Sequence, residues 1–105
     1  MVRIPTHREP THPGEILLED FLKPLKLTQV ELAKALGVTF RTINEIVNER
    51  RNVSPEMAVK LARYFGTSDE VWMNLQNQHD IYRVKTRDKR MLFRIKPLNT
   101  SASRR

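Results

Sequence analysis

Apolar residues recur along this chain at helical spacing. Pro13 suits the first position of a helix, and the apolar positions that follow it on one helical face are Ile16, Leu17, Phe21 and Leu22. Because proline disfavours helical geometry in the residue before it, we expect the first helix to end at Pro24.

Two short helices are predicted next. Thr28-Gln29-Val30-Glu31 has the pattern of a capping box, in which the threonine hydroxyl and the glutamate carboxylate each accept a backbone N–H. The apolar side of this second helix comprises Val30, Leu32, Ala33 and Leu36. Gly37 is expected to end it in the left-handed conformation. Thr39 then caps a third helix that reaches about Asn48, and its inward residues are Ile43, Ile46 and Val47.

Ser54-Pro55 predicts the start of a fourth helix, which Gly66 ends. Its buried side chains are expected to be Ala58, Leu61, Ala62 and Phe65. Thr67 or Ser68 begins a fifth helix, whose buried side is Trp72, Leu75 and either Ile81 or Tyr82. The pattern therefore predicts an all-α fold of five helices over residues 13 to about 83.

The two ends of the chain lack this periodicity. Residues 1–12 are predicted to be a flexible N-terminal arm, residues 13–83 the folded domain and residues 84–105 a basic C-terminal tail. Within the tail, Met91, Phe93 and Ile95 alternate with polar or basic positions, which favours a short strand over a helix. Asn99 to Arg105 is expected to be disordered.

Length and composition restrict the class of protein. A chain of 105 residues forms one domain with a modest core. It contains no cysteine and no apolar run near the roughly 20 residues that a membrane span needs. The N-terminal residues lack the apolar stretch of a signal peptide, so we expect a cytoplasmic protein with no membrane partner.

The net charge of +7 is concentrated at the C-terminal end. Residues 13–82 hold eight Lys/Arg and ten Asp/Glu, whereas residues 83–105 hold nine Lys/Arg and a single acidic residue, Asp88. A basic protein invites a nucleic-acid interpretation, but this excess lies outside the predicted core. Evidence for DNA binding therefore has to come from the core itself.

The second and third helices are separated only by Gly37-Val38-Thr39. Two short helices joined by a glycine turn are typical of the helix-turn-helix, in which the second helix enters the major groove. A plain helical hairpin inside a bundle is the alternative. The small Ala33, the capping box, the turn glycine and the inward Ile43 favour the helix-turn-helix.

The outward face of the third helix supplies candidate base readers. Arg41 can bind guanine bidentately, and Asn44 can bind adenine in the same way, although both could also be ordinary solvated residues. Glu45 can accept from cytosine N4, or it can orient Arg41. Phe40 can contact a thymine methyl, or it can fold back toward the core near Ile43.

Contacts to phosphate need hydrogen-bond donors instead of groups that read sequence. Gln29, Thr39 and Thr42 are well placed for such contacts. The loop that follows the third helix adds Arg50, Arg51 and Asn52, which can reach the DNA backbone or remain solvated.

Several segments resemble the HigA/VapI antitoxins of the phage-repressor-like (Xre) helix-turn-helix group. They are His12-Pro13-Gly14-Glu15, Leu27 to Ala33, Gly37-Val38-Thr39, Asn48 to Arg51, Ser54 to Ala58 and Trp72 to Gln76. The resemblance covers residues 12 to about 83. It implies a phage-repressor-like fold and base readers at Phe40, Arg41, Asn44 and Glu45.

The same resemblance implies a dimer that binds its own operator and silences a small ribonuclease toxin. One difference is Glu49, where the family often has glycine. Without that glycine the loop is expected to lack a left-handed turn, which weakens the case for phosphate contacts by Arg50 and Arg51.

No catalytic or metal site is predicted. The three histidines have no carboxylates at metal-ligand spacing around them, Glu19 and Asp20 point in different directions on a helix, and Ser54 and Ser68 act as caps. We therefore expect neither an enzyme nor a cofactor.

Three functional hypotheses remain at this point: an operator-binding antitoxin, a stand-alone regulator without a toxin, and a protein-binding module that docks its basic tail on an acidic partner. One short recognition helix reads only a few base pairs, so a DNA-binding function predicts a homodimer. The fifth helix, around Trp72 to Tyr82, and the tail are the candidate dimer interface.

Overall fold

The computed structural model describes residues 9–98, and within that range the chain forms six helices and no strand. Helix α1 covers residues 13–25 in three consecutive pieces: Pro13–Ile16, Leu17–Leu22 and Lys23–Leu25. The others are α2 (Gln29–Leu36), α3 (Phe40–Val47), α4 (Pro55–Phe65), α5 (Asp69–Arg87) and α6 (Lys89–Arg94). Most of the predicted arm, residues 1–8, and the tail end predicted to be disordered, residues 99–105, lie outside the described residues.

The predicted helix starts at Thr28, Thr39, Ser54 and Ser68 and the predicted ends at Gly37 and Gly66 are confirmed. Thr28 and Glu31 form the reciprocal capping box at 2.9 and 3.0 Å, and hydroxyl caps also open α3, α4 and α5. Gly37 and Gly66 have φ values of 70° and 75°, the left-handed conformation in which a helix commonly ends.

The core lies where the helices converge. Its fully buried side chains come from α1 to α5, the largest being Trp72, Leu17, Leu32, Ile43, Ile46 and Leu61. Phe21 of α1 packs against both Phe65 and Trp72, with ring centroids 4.7 and 5.3 Å apart, and so joins α1 to α4 and α5. Val30, predicted to be inward, is instead half exposed, because Leu32, Ala33 and Leu36 form the inward face of α2.

Helix α1 does not end at Pro24 as predicted. It continues to Leu25 and stops at Lys26, which is left-handed with φ 54°. The segment Leu17–Leu22 is π-helical, and the N–H of Lys23 bonds to the carbonyl of Leu18, five residues earlier. A wider turn of this kind accommodates a proline that would crowd the preceding carbonyl of a regular α-helix.

Helix α5 is longer than predicted and buries different residues. It crosses residue 83 and reaches Arg87, and Ile81 and Tyr82 are exposed, not buried. The inward face comprises Trp72, Gln76 and His79, so polar side chains take the place that apolar ones were expected to fill. The residues after Asp80 are exposed because the helix extends beyond the core.

The prediction of a short strand around Met91 to Ile95 is also wrong, since Lys89–Arg94 forms the helix α6. A strand needs a partner strand for its backbone groups, and the described part of the chain offers none, whereas a helix bonds its own backbone. Elsewhere, no helix in residues 9–98 is long and apolar enough to cross a membrane.

Candidate DNA-binding surface

The turn between α2 and α3 is closed by backbone hydrogen bonds. The N–H of Val38 bonds to the carbonyl of Ala33 at 3.0 Å, and that of Gly37 bonds to Lys34 at 3.2 Å. These bonds satisfy carbonyls that the end of α2 leaves free. The turn therefore fixes the direction in which α3 leaves, as the helix-turn-helix prediction requires.

The start of α3 presents two hydroxyls and one aromatic ring. The Thr39 hydroxyl accepts from the backbone N–H of Thr42 at 3.1 Å, and the two threonine hydroxyls lie 3.0 Å apart. Phe40 is 49% exposed. Of the two placements expected for Phe40, burial against the core is therefore wrong, and the ring is accessible to a partner.

Glu45 lies between Arg41 and Arg51, two of the arginines predicted to contact DNA. Its carboxylate accepts from Nε of Arg41 at 2.9 Å and from Nη2 of Arg51 at 2.6 Å. The hydrogen bonds from Arg41 and then from Arg51 hold the pKa of Glu45 below its usual range, so the carboxylate stays charged. This arrangement agrees with the expectation that Glu45 orients Arg41.

Asn44 is tied to the start of α2. Its Nδ2 donates to Oε1 of Gln29 at 3.0 Å, and Asn44 is partly buried. A predicted base reader and a predicted phosphate contact are thus brought into one hydrogen-bonded pair. Because Nδ2 carries two hydrogens, Asn44 keeps one donor and the Oδ1 acceptor for another partner.

The loop after α3 contains the left-handed turn that Glu49 was expected to prevent. Glu49 has φ 62°, its N–H bonds to Ile46 at 2.9 Å, and the N–H of Arg50 bonds to the carbonyl of Glu45 at 2.8 Å. Many helices end with this pair of hydrogen bonds and a left-handed glycine. Here a glutamate takes the position of that glycine. The expectation was wrong because two backbone bonds offset the local strain.

Gln76 is a residue that the sequence analysis did not single out as functional. It is buried on α5, its Oε1 accepts from the backbone N–H of Val53 at 2.7 Å, and its Nε2 donates to Asn52 at 3.1 Å. Gln76 therefore holds the loop that carries Arg50 and Arg51. The sequence offered one signal of its burial: Gln76 follows Trp72 by four residues and so lies on the same face of the helix.

Gly14 and His12 belong to a segment that carries the family resemblance, but the sequence analysis assigned neither of them a structural role. A β-carbon on Gly14 would lie 1.8 Å from the carbonyl oxygen of Ile46, so α1 crosses the end of α3 with no room for a side chain. His12, assigned to the arm, is buried, and its Nδ1 caps α1 by accepting from the N–H of Gly14 at 2.8 Å. The arm assignment of His12 is therefore wrong, because a neutral imidazole can serve as a cap.

The rings of His12 and His79 meet edge to face with centroids 4.8 Å apart. Burial lowers the pKa of His12, and so do the neighbouring His79 and Arg83, while Asp80 acts in the opposite direction. Among residues 9–98, no group of three or more His, Asp or Glu side chains is placed to hold a metal ion.

Comparison with known proteins gives a consistent result. The helix-turn-helix family matches residues 18–72. Virulence-associated protein I of Dichelobacter nodosus is 45% identical over 91 residues, which cover 87% of this chain and 83% of the relative. Antitoxin HigA-1 of Vibrio cholerae is 34% identical over 96 residues, covering 91% and 90% of the two chains.

A solved structure of similar shape is the Pseudomonas aeruginosa antitoxin HigA with the higBA promoter. It has a TM-score of 0.82 and 41% sequence identity, and the match covers 86% of this chain and 99% of that one. The likeness therefore extends through the helix-turn-helix and most of the helices that support it.

Proposed function

This chain belongs to the Xre-type helix-turn-helix family, among its HigA-type antitoxins, and we propose that it is a DNA-binding antitoxin. It binds the operator of its own toxin–antitoxin operon as a dimer, represses that operon, and neutralises a small ribonuclease toxin of the HigB/RelE kind. Operator binding would place it in the cytoplasm.

The observation that carries the proposal is the outward face of α3, where Arg41 is oriented by Glu45 and Asn44 by Gln29. Only Nε of Arg41 is bonded to the carboxylate, which leaves both Nη groups to donate to a guanine. Asn44 keeps the acceptor and the donor that an adenine edge requires. Phe40 lies exposed at the same end of the helix, within reach of a thymine methyl.

The remaining predicted residues support this surface as contacts to the DNA backbone. Thr39 and Thr42 present hydroxyls at the N-terminus of α3, where backbone N–H groups and the helix dipole favour an anion. Arg50 and Arg51 follow the same helix, and Gln29 stands at the start of α2. Such contacts set the register of the protein on DNA but do not read its sequence.

A binding titration with the DNA upstream of the chain's own gene tests the proposal. Replacing Arg41 by alanine should weaken operator binding by about 1–3 kcal/mol, the worth of one bidentate base contact, and should leave binding to scrambled DNA nearly unchanged. Arg63→Ala, on α4, is the control that loses the same charge. Equal operator binding by R41A and the unaltered protein would contradict the assignment of Arg41.

The exposed apolar residues at the C-terminal end support the dimer. They lie on the last turns of α5, on α6 and just after it: Ile81, Val84, Met91, Leu92, Phe93, Ile95 and Leu98. A cluster of this kind on a small protein marks a surface that takes a partner. Trp72, at the start of the predicted interface, is fully buried, so it belongs to the core and not to a dimer contact.

Sedimentation of the unaltered protein and of Phe93→Glu tests this interface. Phe93 is 83% exposed, so a charge there should leave the monomer folded and dissociate the dimer. Val59→Glu, on the exposed face of α4, is the matched control. If F93E remained a dimer, the dimer interface would have to lie on another surface of the protein.

The toxin partner rests on the family alone, and a stand-alone regulator of the same family is the second candidate. A small ribonuclease reading frame beside the gene, whose product forms a complex with this chain and loses its ribonuclease activity, would support the antitoxin. Operator binding without such a neighbour would favour the stand-alone regulator.

A further inference from the structure

A small polar cavity of about 240 Å³ lies between α5 and the loop that follows α3. Asn52 contributes the loop side, and Asp80, Arg83, Val84 and Arg87 contribute the α5 side. Two arginines, one aspartate and one asparagine thus line a groove with room for a small anion or a few waters.

The cavity forms because one face of α5 carries the required side chains. Gln76, Asp80, Arg83 and Arg87 follow one another at intervals of three or four residues, which aligns them along a helix. Gln76 binds both the side chain of Asn52 and the backbone of Val53, so the loop is fixed against this face. The position of the cavity is therefore determined by the buried Gln76.

The donors of this cavity are available. Within residues 9–98 neither Arg83 nor Arg87 forms an ion pair, whereas Arg41 and Arg51 both share the carboxylate of Glu45. Asn52 uses its Oδ1 to accept from Gln76, which leaves its amide N–H groups to donate.

Asp80 is the one acidic group in the cavity, and it is already engaged. Its carboxylate accepts from Nε2 of Gln76 at 2.9 Å and lies 3.6 Å from Nδ1 of His79. With two arginines against one carboxylate the lining is positive, and a guanidinium presents its donors in the planar fork that matches a phosphate.

The cavity lies next to the surface that is proposed to bind DNA. Arg51 bonds to Glu45 on the outward side of α3, and the next residue along the chain, Asn52, opens the cavity. The sequence predicted that Arg87 belongs to a basic tail beginning at residue 84, yet α5 reaches Arg87 as one helix and carries both Arg83 and Arg87 next to this loop.

We infer that Asn52, Arg83 and Arg87 form a binding site for a phosphate group of the operator backbone, just beyond the end of the recognition helix. The inference rests on the proposed DNA-binding function and extends its surface from the helix-turn-helix to α5. Because the site contacts phosphate and no base, it adds affinity without sequence preference.

The test compares Arg83→Gln/Arg87→Gln with Lys60→Gln/Arg63→Gln in the full chain. Both double variants lose two positive charges from one face of a helix, and the second pair lies on α4, beside a different groove. Operator affinity is measured over a series of salt concentrations, and circular dichroism checks that each variant is folded. Analytical ultracentrifugation checks that the oligomeric state is unchanged.

For R83Q/R87Q the slope of log affinity against log salt should flatten by about 0.9 for every phosphate that the protein no longer neutralises. The ratio of operator to scrambled-DNA affinity should stay constant, and K60Q/R63Q should keep the slope of the unaltered protein. Asn52→Asp, which puts a carboxylate in the cavity, should weaken binding to both DNAs.

Two results would overturn the site in distinguishable ways. If the unaltered chain binds its operator and R83Q/R87Q behaves as K60Q/R63Q does, the site is refuted while the proposed function stands. Such a result would leave the cavity to an acidic protein partner. If the unaltered chain binds no operator, the proposed function fails and the phosphate site fails with it.

Discussion

Gln76 on α5 accepts a hydrogen bond from the buried backbone N–H of Val53, with 2.7 Å between Oε1 and N. The same side chain donates to Asn52 and Asp80, so one amide satisfies three groups on two segments of the chain. An N–H buried without a partner is costly. Gln76 therefore couples the stability of the domain to the position of the loop after α3.

Replacing Gln76 by alanine should lower the free energy of unfolding by about 1–3 kcal/mol, since the N–H of Val53 loses its acceptor. Denaturation by urea measures this change. Gln78→Ala, an exposed position on the same helix, should change stability by less than about 0.5 kcal/mol. A Q76A protein as stable as Q78A would show that water replaces the amide at no cost.

Gly14→Ala should be among the most destabilising substitutions in the chain. Its β-carbon would overlap the carbonyl oxygen of Ile46, and α1 would have to move away from α3. We expect a loss of about 2–3 kcal/mol, the upper range for overpacking. Thermal or urea unfolding provides the measurement.

Gly66→Ala is the control for Gly14. Gly66 has φ 75° and open space where a β-carbon would lie, so alanine there should cost only the backbone strain of about 1–2 kcal/mol. If G14A were no worse than G66A, the approach of α1 to α3 would be looser than the structure describes.

Glu49→Gly should stabilise the protein. Glu49 has φ 62°, a conformation that costs a residue with a β-carbon about 1–2 kcal/mol and glycine nothing. Glycine is also more flexible in the unfolded chain, so the net gain should be about 0.5–1 kcal/mol. Glu49→Ala removes the same charge but keeps the β-carbon, and a gain of equal size in E49A would attribute the effect to charge.

Stability should fall as the pH is lowered from about 7 toward 5. The pKa of His12 in the folded protein lies below its ordinary value of 6.5, mainly because the ring is buried. Between these two pKa values the unfolded chain binds more protons at His12 than the folded chain does, so acid favours unfolding. Protonation of Nδ1 would also break the hydrogen bond from Gly14.

Urea unfolding of the unaltered protein and of His12→Asn over this pH range tests the assignment. Asparagine can cap α1 through its side-chain oxygen but does not titrate, so its stability should depend less on pH. Glu31 and Glu45 do not interfere, because both have pKa values lowered from 4.5 and lose their contributions only at more acidic pH. Parallel pH profiles for the two proteins would exclude His12 as the source.

Much of the fold could be predicted from local signals. The capping box at Thr28, the caps at Thr39, Ser54 and Ser68, and the turns at Gly37 and Gly66 each depend on residues close together in the chain. The candidate base readers also followed from helical spacing, because Ile43 and Ile46 define the inward face of α3 and so identify the outward one.

The predictions that were wrong concern places where distant segments of the chain are in contact, or where another interaction outweighs the local preference of a residue type. The π-helical turn before Pro24, the left-handed Glu49 and the helical α6 all contradict local preferences. In the first two, backbone hydrogen bonds supply what the residue type alone disfavours. In the third, residues 89–94 form a helix because a helix satisfies its own backbone hydrogen bonds, whereas a strand would need a partner strand.

Periodicity and capping act over a few residues, so the helical class, the helix-turn-helix and the residues on its outward face could all be inferred from the order of the amino acids. The packing of the helices against one another was needed to show that Gly14 must be small, that His12 is buried, and that Gln76 fixes the loop beside Arg83 and Arg87. These relationships join α1 to α3 and α5 to the loop after α3, and no spacing along a single helix encodes them.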